Sequence, residues 1–192
     1  MILPIVAYGN PVLRKVATDI NKDYPQLEKF IADMWETMYA SNGVGLAAPQ
    51  VNKDIRLFVM DTEQMFNNME EEEKTEFPDA PGVKAVFINA HIVGLEGEEW
   101  PYNEGCLSIP KIREDIYRQK TVTLRFMDEH FEPHTRTFSG LSARVILHEY
   151  DHTEGKLFID HISPLKRKLM KGKLNDISKG KVNVDYKMSF PG

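Results

Sequence analysis

Among 192 residues, 29 acidic side chains outnumber 24 Lys and Arg for a net charge of −5, 42% of positions are hydrophobic, and there is one cysteine. A chain of this size is expected to form one domain, residues 1–192, burying about two thirds or more of its unfolded surface. Its acidity argues against DNA or general nucleic-acid binding, and one cysteine leaves no internal disulfide to form. Met1 to Val6 lacks a basic leader and no apolar run approaches the ~18 positions of a membrane span, so the expectation is a soluble, cytoplasmic protein without membrane contact.

The segment through Ile20, with Gly9-Asn10-Pro11 as turn chemistry, predicts an extended arm. Leu27, Phe30, Ile31, Met34 and Met38 recur at helical offsets and predict a core-facing helix from Pro25 to Ala40, with Pro25 suited to its first turn. Gly43-Val44-Gly45-Leu46-Ala47-Ala48-Pro49-Gln50 superficially satisfies a dinucleotide-binding fingerprint. The context refuses it, because a helix precedes the glycines and Pro49 falls where the following helix should run. What remains is a loop whose backbone can approach a ligand, ending in an amide that both donates and accepts.

Ile55 to Met60 reads as a strand. Residues 61–82 are polar and acidic, with Glu70 to Glu73 as a charge run, and are expected to form a surface insertion. Lys84 to Val93 predicts a second strand and Gly94 to Glu99 a polar turn. Thr121 to Phe126 alternates as a half-buried strand within Ile116 to Met127, and Glu132 to Thr137 as its hairpin partner. From Pro164, eight Lys or Arg stand against two Asp, and 164–192 is expected to be a basic C-terminal helix and tail.

His148-Glu149-Tyr150-Asp151-His152 carries the chemistry. Residues four apart share a helix face with Cβ atoms about 5–6 Å apart, so His148 and His152 can reach one metal while Glu149 stands beside it as a base. Ala143, Ile146, Leu147 and Tyr150 fall on the other side, with Ser139-Gly140 and Gly155 as start and stop signals. A tetrahedral catalytic site needs a third protein ligand. No glutamate follows Glu154, and Phe158 occupies the place of a metzincin's third histidine. His161 and Asp160 stay open, but would require the chain to double back, and Cys106 as thiolate is the stronger candidate.

Together, Gly43 to Gln50, Glu104-Gly105-Cys106-Leu107-Ser108 and His148 to His152 resemble the three motifs of the peptide deformylases, the enzymes that remove the N-formyl group from newly made bacterial polypeptides. The similarity runs from the N-terminal arm to about Pro164. It implies an iron site, Fe²⁺ held by Cys106, His148 and His152, with Zn²⁺ or Ni²⁺ able to substitute. It also implies Glu149 as the proton carrier, Gln50 and the Leu107 N–H as donors to the formyl oxygen, and N-formylmethionyl nascent peptides as partners. Substrate contacts are expected from Gly43, Val44, Gly45, Tyr102, Glu104, Gly105, Arg113, Leu141, Arg144 and Val145. Asp151 is expected to pair with Arg118 behind the ligands, and the basic tail to contact the ribosome. The fold expected is α+β, with mainly antiparallel sheets around a central HExxH helix and a C-terminal helix. Two rivals are a zinc endoprotease using His161, in which Cys106→Ala keeps its metal, and a non-catalytic ribosome-associated module, whose ribosome binding survives Glu149→Ala.

Overall fold

Five antiparallel strands form the main sheet: β2 (Gly45–Ala47), β3 (Leu57–Asp61), β4 (Lys84–Cys106), β5 (Ile109–Met127) and β6 (Pro133–Ser139), hydrogen-bonded in that order. The computed structural model describes residues 1–191. Against the sheet packs α4 (Gly140–Thr153), the HExxH helix, whose Ala143, Ile146 and Leu147 meet Phe58, Phe87, Val122 and Leu124 in one buried cluster. Phe87 stacks on Phe58 with ring centroids 4.8 Å apart. Burying each such side chain contributes about 1.5–3 kcal/mol, so the face opposite the histidines is what anchors the helix.

A second cluster lies under α1 (Leu27–Ala40), where Ile31, Met34 and Met38 pack with Leu46, Leu57 and Val59. The helix begins two residues after Pro25, because Gln26 adopts a left-handed backbone, φ 55°, just ahead of the first turn. The N-terminal arm is likewise more than an extended strip. Ile5–Val6 forms β1, Pro11–Arg14 is a 3-10 turn, and Ile5, Val6, Ala7 and Leu13 are all buried.

One further expectation is corrected. Gly94 to Glu99 is no turn but the middle of β4, where Leu95 pairs with Val122 and Glu99 with Gln119. One register shift precedes this stretch and another falls within it, between Glu96 and Glu99, and Leu95 to Glu99 are exposed. A twisted hairpin with bulges and water on both sides shows no alternation to read. The acidic insertion holds two short helices, α2 (Glu63–Asn67) and α3 (Glu71–Lys74), and is pinned by Thr62 and Phe66, both buried. At the C-terminus α5 (Pro164–Leu169) and α6 (Lys171–Ser178) follow, and β7 (Met188–Ser189) pairs in parallel with β1.

Candidate active site

The position of α4 is set at both ends. Asp79, from the acidic insertion, accepts from the N–H groups of Leu141 at 3.2 Å and Ser142 at 2.8 Å, which satisfies two of the free amides every helix start exposes. Ser139 makes no side-chain cap. Gly140 has φ 58°, and a Cβ there would lie 2.0 Å from the Asp79 carboxylate, so the start signal is met by glycine and a distant aspartate together. At the far end Gly155 takes a left-handed conformation, φ 71°, and the helix stops.

Between these ends His148 and His152 project toward Cys106 at the close of β4. One donor atom from each of the three lies within 4.8 Å of the others; the Cys106 Sγ is 3.4 Å from His152 Nε2. His148 gives its Nδ1 to Glu104 Oε1 at 2.8 Å, which leaves Nε2 to face the cluster. A soft thiolate with two imidazoles is a donor set for a divalent transition metal. The electrostatics agree, since burial works against a proton on His148, yet hydrogen bonds with Cys106 and Glu104 hold its pKa well above the ordinary value. His152, by burial and then by the charge on His148, is pushed down to about 3 and stays neutral.

Glu149 turns the other way, beneath β2. A Cβ on Gly45 would lie 2.7 Å from Glu149 Oε1, so only glycine lets the edge strand pass over this carboxylate. Glu149 Oε2 is buried and without a hydrogen-bond partner. Burial, opposed by the charge on His148, lifts its pKa to about 7. Gln50 completes the near side. Its Oε1 accepts from Ala47 N–H at 3.0 Å, and its Nε2 points to Cys106 Sγ at 3.5 Å and Ser108 Oγ at 3.3 Å.

Behind the histidines lies a buried charge network, of which the sequence analysis expected only the Asp151–Arg118 pair. Arg118 forks onto both Glu104 oxygens at 2.8 and 3.1 Å and reaches Asp151 at 2.9 Å. Arg144 adds a 2.8 Å contact to Glu104. Burial alone would raise the Glu104 pKa, but His148 and Arg118 hold it far below the usual carboxylate range.

These groups open onto a cleft of about 460 Å³ lined by Gly43, Val44, Gly45, Tyr102, Gly105, Arg113 and Val145 together with Gln50, Cys106, Leu107, His148 and Glu149. A family model described as polypeptide deformylase matches residues 2–168. The chain belongs to the polypeptide deformylase family. Over 191 residues it is 56% identical to the peptide deformylase of Christiangramia forsetii, covering 100% of this chain and 97% of the relative. To that of Flavobacterium johnsoniae it is 57% identical, with 99% and 96% covered. A crystal structure of a peptide deformylase from Legionella pneumophila superposes with a TM-score of 0.77 at 35% identity, covering 94% of this chain and 98% of that one.

Deformylases are metal-dependent, and Cys106, His148 and His152 form the possible metal site in this one. Of the residues expected on the substrate side, all but Leu141 line the cleft in this deformylase. Leu141 is not among those lining the cleft and is buried at the start of α4. Glu104 and Arg144 touch the cleft, but their charged groups are committed to each other and to His148, Arg118 and the Ile116 carbonyl, so they brace the ligands. His161 donor chemistry is also committed: its Nε2 lies 2.7 Å from Asp151, outside the three-residue cluster. Tyr186 and Asp185 line the cleft too; no motif pointed to them.

Proposed function

We propose that this deformylase removes the N-formyl group from the N-terminal methionine of newly synthesised polypeptides, releasing formate, as one catalytic domain using a single ion held by Cys106, His148 and His152. Fe²⁺ is the ion proposed, with Zn²⁺ or Ni²⁺ able to take its place, since thiolate and imidazole accept all three. Bound there, the metal supplies Lewis acidity toward water and the formyl oxygen. The observation that carries the reading is Glu149, a buried carboxylate with a free oxygen beside the ligand cluster and a pKa near 7.

A base poised near neutral pH takes a proton from the attacking water and can return it to the departing amine. Glu149 performs both transfers, so water and the formamide become formate and a free N-terminus. Gln50 Nε2 and the Leu107 N–H donate to the formyl oxygen as its negative charge grows; one such donor commonly supplies about 3–4 kcal/mol of barrier lowering. Gly45 begins the edge strand β2, and it binds the peptide as an added strand together with Gly43 and Val44 just before it. Tyr102, Gly105, Arg113 and Val145 enclose the methionine side chain. Lys166, Arg167 and Lys168, all exposed, make the ribosome contact in the cytoplasm.

Formate release from a short formyl-Met peptide tests this, using anaerobically purified protein with its metal content measured. Wild type is expected to turn over, Glu149→Ala to keep metal without turnover, and Cys106→Ala to lose metal. A metal-replete wild type that releases no formate overturns the reading. Ribosome co-sedimentation unaffected by reversing Lys166, Arg167 and Lys168 overturns the contact.

A further inference from the structure

The family match ends at residue 168, yet the chain returns to the cleft after it. Beyond α6 the tail runs back to join the N-terminal arm: Ile5 N–H donates to the Lys187 carbonyl at 2.9 Å and Ala7 N–H to that of Ser189 at 2.8 Å. Just before this pairing, Val184, Asp185 and Tyr186 line the cleft. The Tyr186 hydroxyl donates to the Leu107 carbonyl at 2.7 Å. The next carbonyl, Ser108, accepts from Tyr8 N–H at 2.9 Å. Arm and tail, tied to each other, thus hold two successive carbonyls immediately after Cys106.

Leu107 N–H and Leu107 C=O belong to the two peptide planes flanking one Cα. The Cys106 side is fixed by pairing with Ile109 across the β4–β5 hairpin. A partner that fixes the C=O side leaves the N–H little freedom to swing. Phenol is protonated at neutral pH and is a constant donor. Removing it keeps the ring packed but frees the second plane, and a misplacement of about 1 Å at a reacting group can cost 100-fold in rate.

We propose that Tyr186 is a positioning residue: carried in by the C-terminal tail, its hydroxyl orients the Leu107 peptide so that its N–H points at the reacting carbonyl oxygen. The proposal rests on the deformylase reading above. It makes the tail, which lies outside the family's shared core, a working part of the site.

The test is Tyr186→Phe, which keeps the ring, set beside Lys187→Ala, an exposed neighbour in the same tail. For Tyr186→Phe, kcat on a formyl-Met peptide is expected to fall about 10-fold with KM within about 2-fold, since the lost hydrogen bond orients a donor that acts in the transition state. Bound metal and thermal midpoint stay at wild-type values, while amide exchange at residues 106–108 becomes faster. Lys187→Ala matches wild type throughout. Wild-type kcat or unaltered exchange in Tyr186→Phe overturns the proposal, as does a kcat loss matched by loss of metal. Failure of the underlying reading looks different, as no formate from metal-loaded wild type, and overturns the positioning role with it.

Discussion

Residues 61–82 and the stretch from Pro164 onward are the acidic and basic extremes of this chain, and in each the attachment comes from a few residues outside the charge run. In the acidic segment the charge run itself is solvated, with Glu70 to Glu73 exposed. Its attachment comes from the flanks: Phe66 is buried, Asp79 caps α4, and Gln64 Nε2 donates to the Gly43 carbonyl at 3.1 Å. The basic segment is held by Leu174 and Ile177 on α6, while α5 presents Leu165 and Leu169 to solvent at 68% and 78% exposure. Charge in either case says little about attachment. A single carboxylate or amide aimed at a backbone group of the site does more than the surrounding run.

The widest separation between the two segments should appear on truncating their apolar side chains. Phe66→Ala is expected to cost about 3–5 kcal/mol in urea unfolding, and Leu169→Ala to stay within about 0.5 kcal/mol; equal costs would erase the distinction. Asp79 holds the start of α4 and Gly45 passes over Glu149, which is buried, and this has a pH signature in metal-free protein. With its pKa raised from 4.5 to about 7 in the folded state, native protein binds a proton that the unfolded chain has released. The contribution of Glu149 to stability therefore falls as pH rises through that window, by up to about 3 kcal/mol. Glu149→Gln lacks this loss, and its advantage over wild type in metal-free unfolding should widen between pH 4.5 and 8. A constant gap would place the carboxylate in contact with solvent.

Smaller effects discriminate within the acidic segment. Asp79→Ala removes a cap and is expected to cost about 1–2 kcal/mol with weaker metal retention, whereas Glu72→Ala on the solvated run changes neither. Gln64→Ala frees the Gly43 carbonyl, and KM for a formyl-Met peptide should rise several-fold, about 1 kcal/mol, with kcat unchanged. A fall in kcat with constant KM would instead assign Gln64 to the transition state.

His148, Glu149 and His152 were legible because helix periodicity alone puts both imidazoles on one face, and Cys106 because a metal with two histidines demands another donor. Alternation marked individual strands such as Thr121 to Phe126, while the mainly antiparallel α+β fold followed from the family resemblance that the three motifs carry. The bracing contacts of Glu104 were not legible, since its partners, Arg118 and Arg144, lie 14 and 40 residues away, and nothing local marks such a pair. Asp79 was invisible for the same reason: the cap of α4 comes from 62 and 63 residues upstream, where a lone carboxylate in an acidic stretch looks like any other. Tyr186 sits in a polar tail with no period to read.

The pairing of Ile5 with Met188 joins residues from nearly opposite ends of the sequence. Such a contact carries the largest loop-closure cost in the molecule, and during synthesis β1 must wait for its partner until residues beyond Met188 have left the ribosome. The sheet and α4 can assemble first from residues 45–153. The grip on the Leu107 and Ser108 carbonyls closes afterwards, so maturation of this cleft follows the order of translation, with Tyr186 arriving after the sheet and α4 are complete.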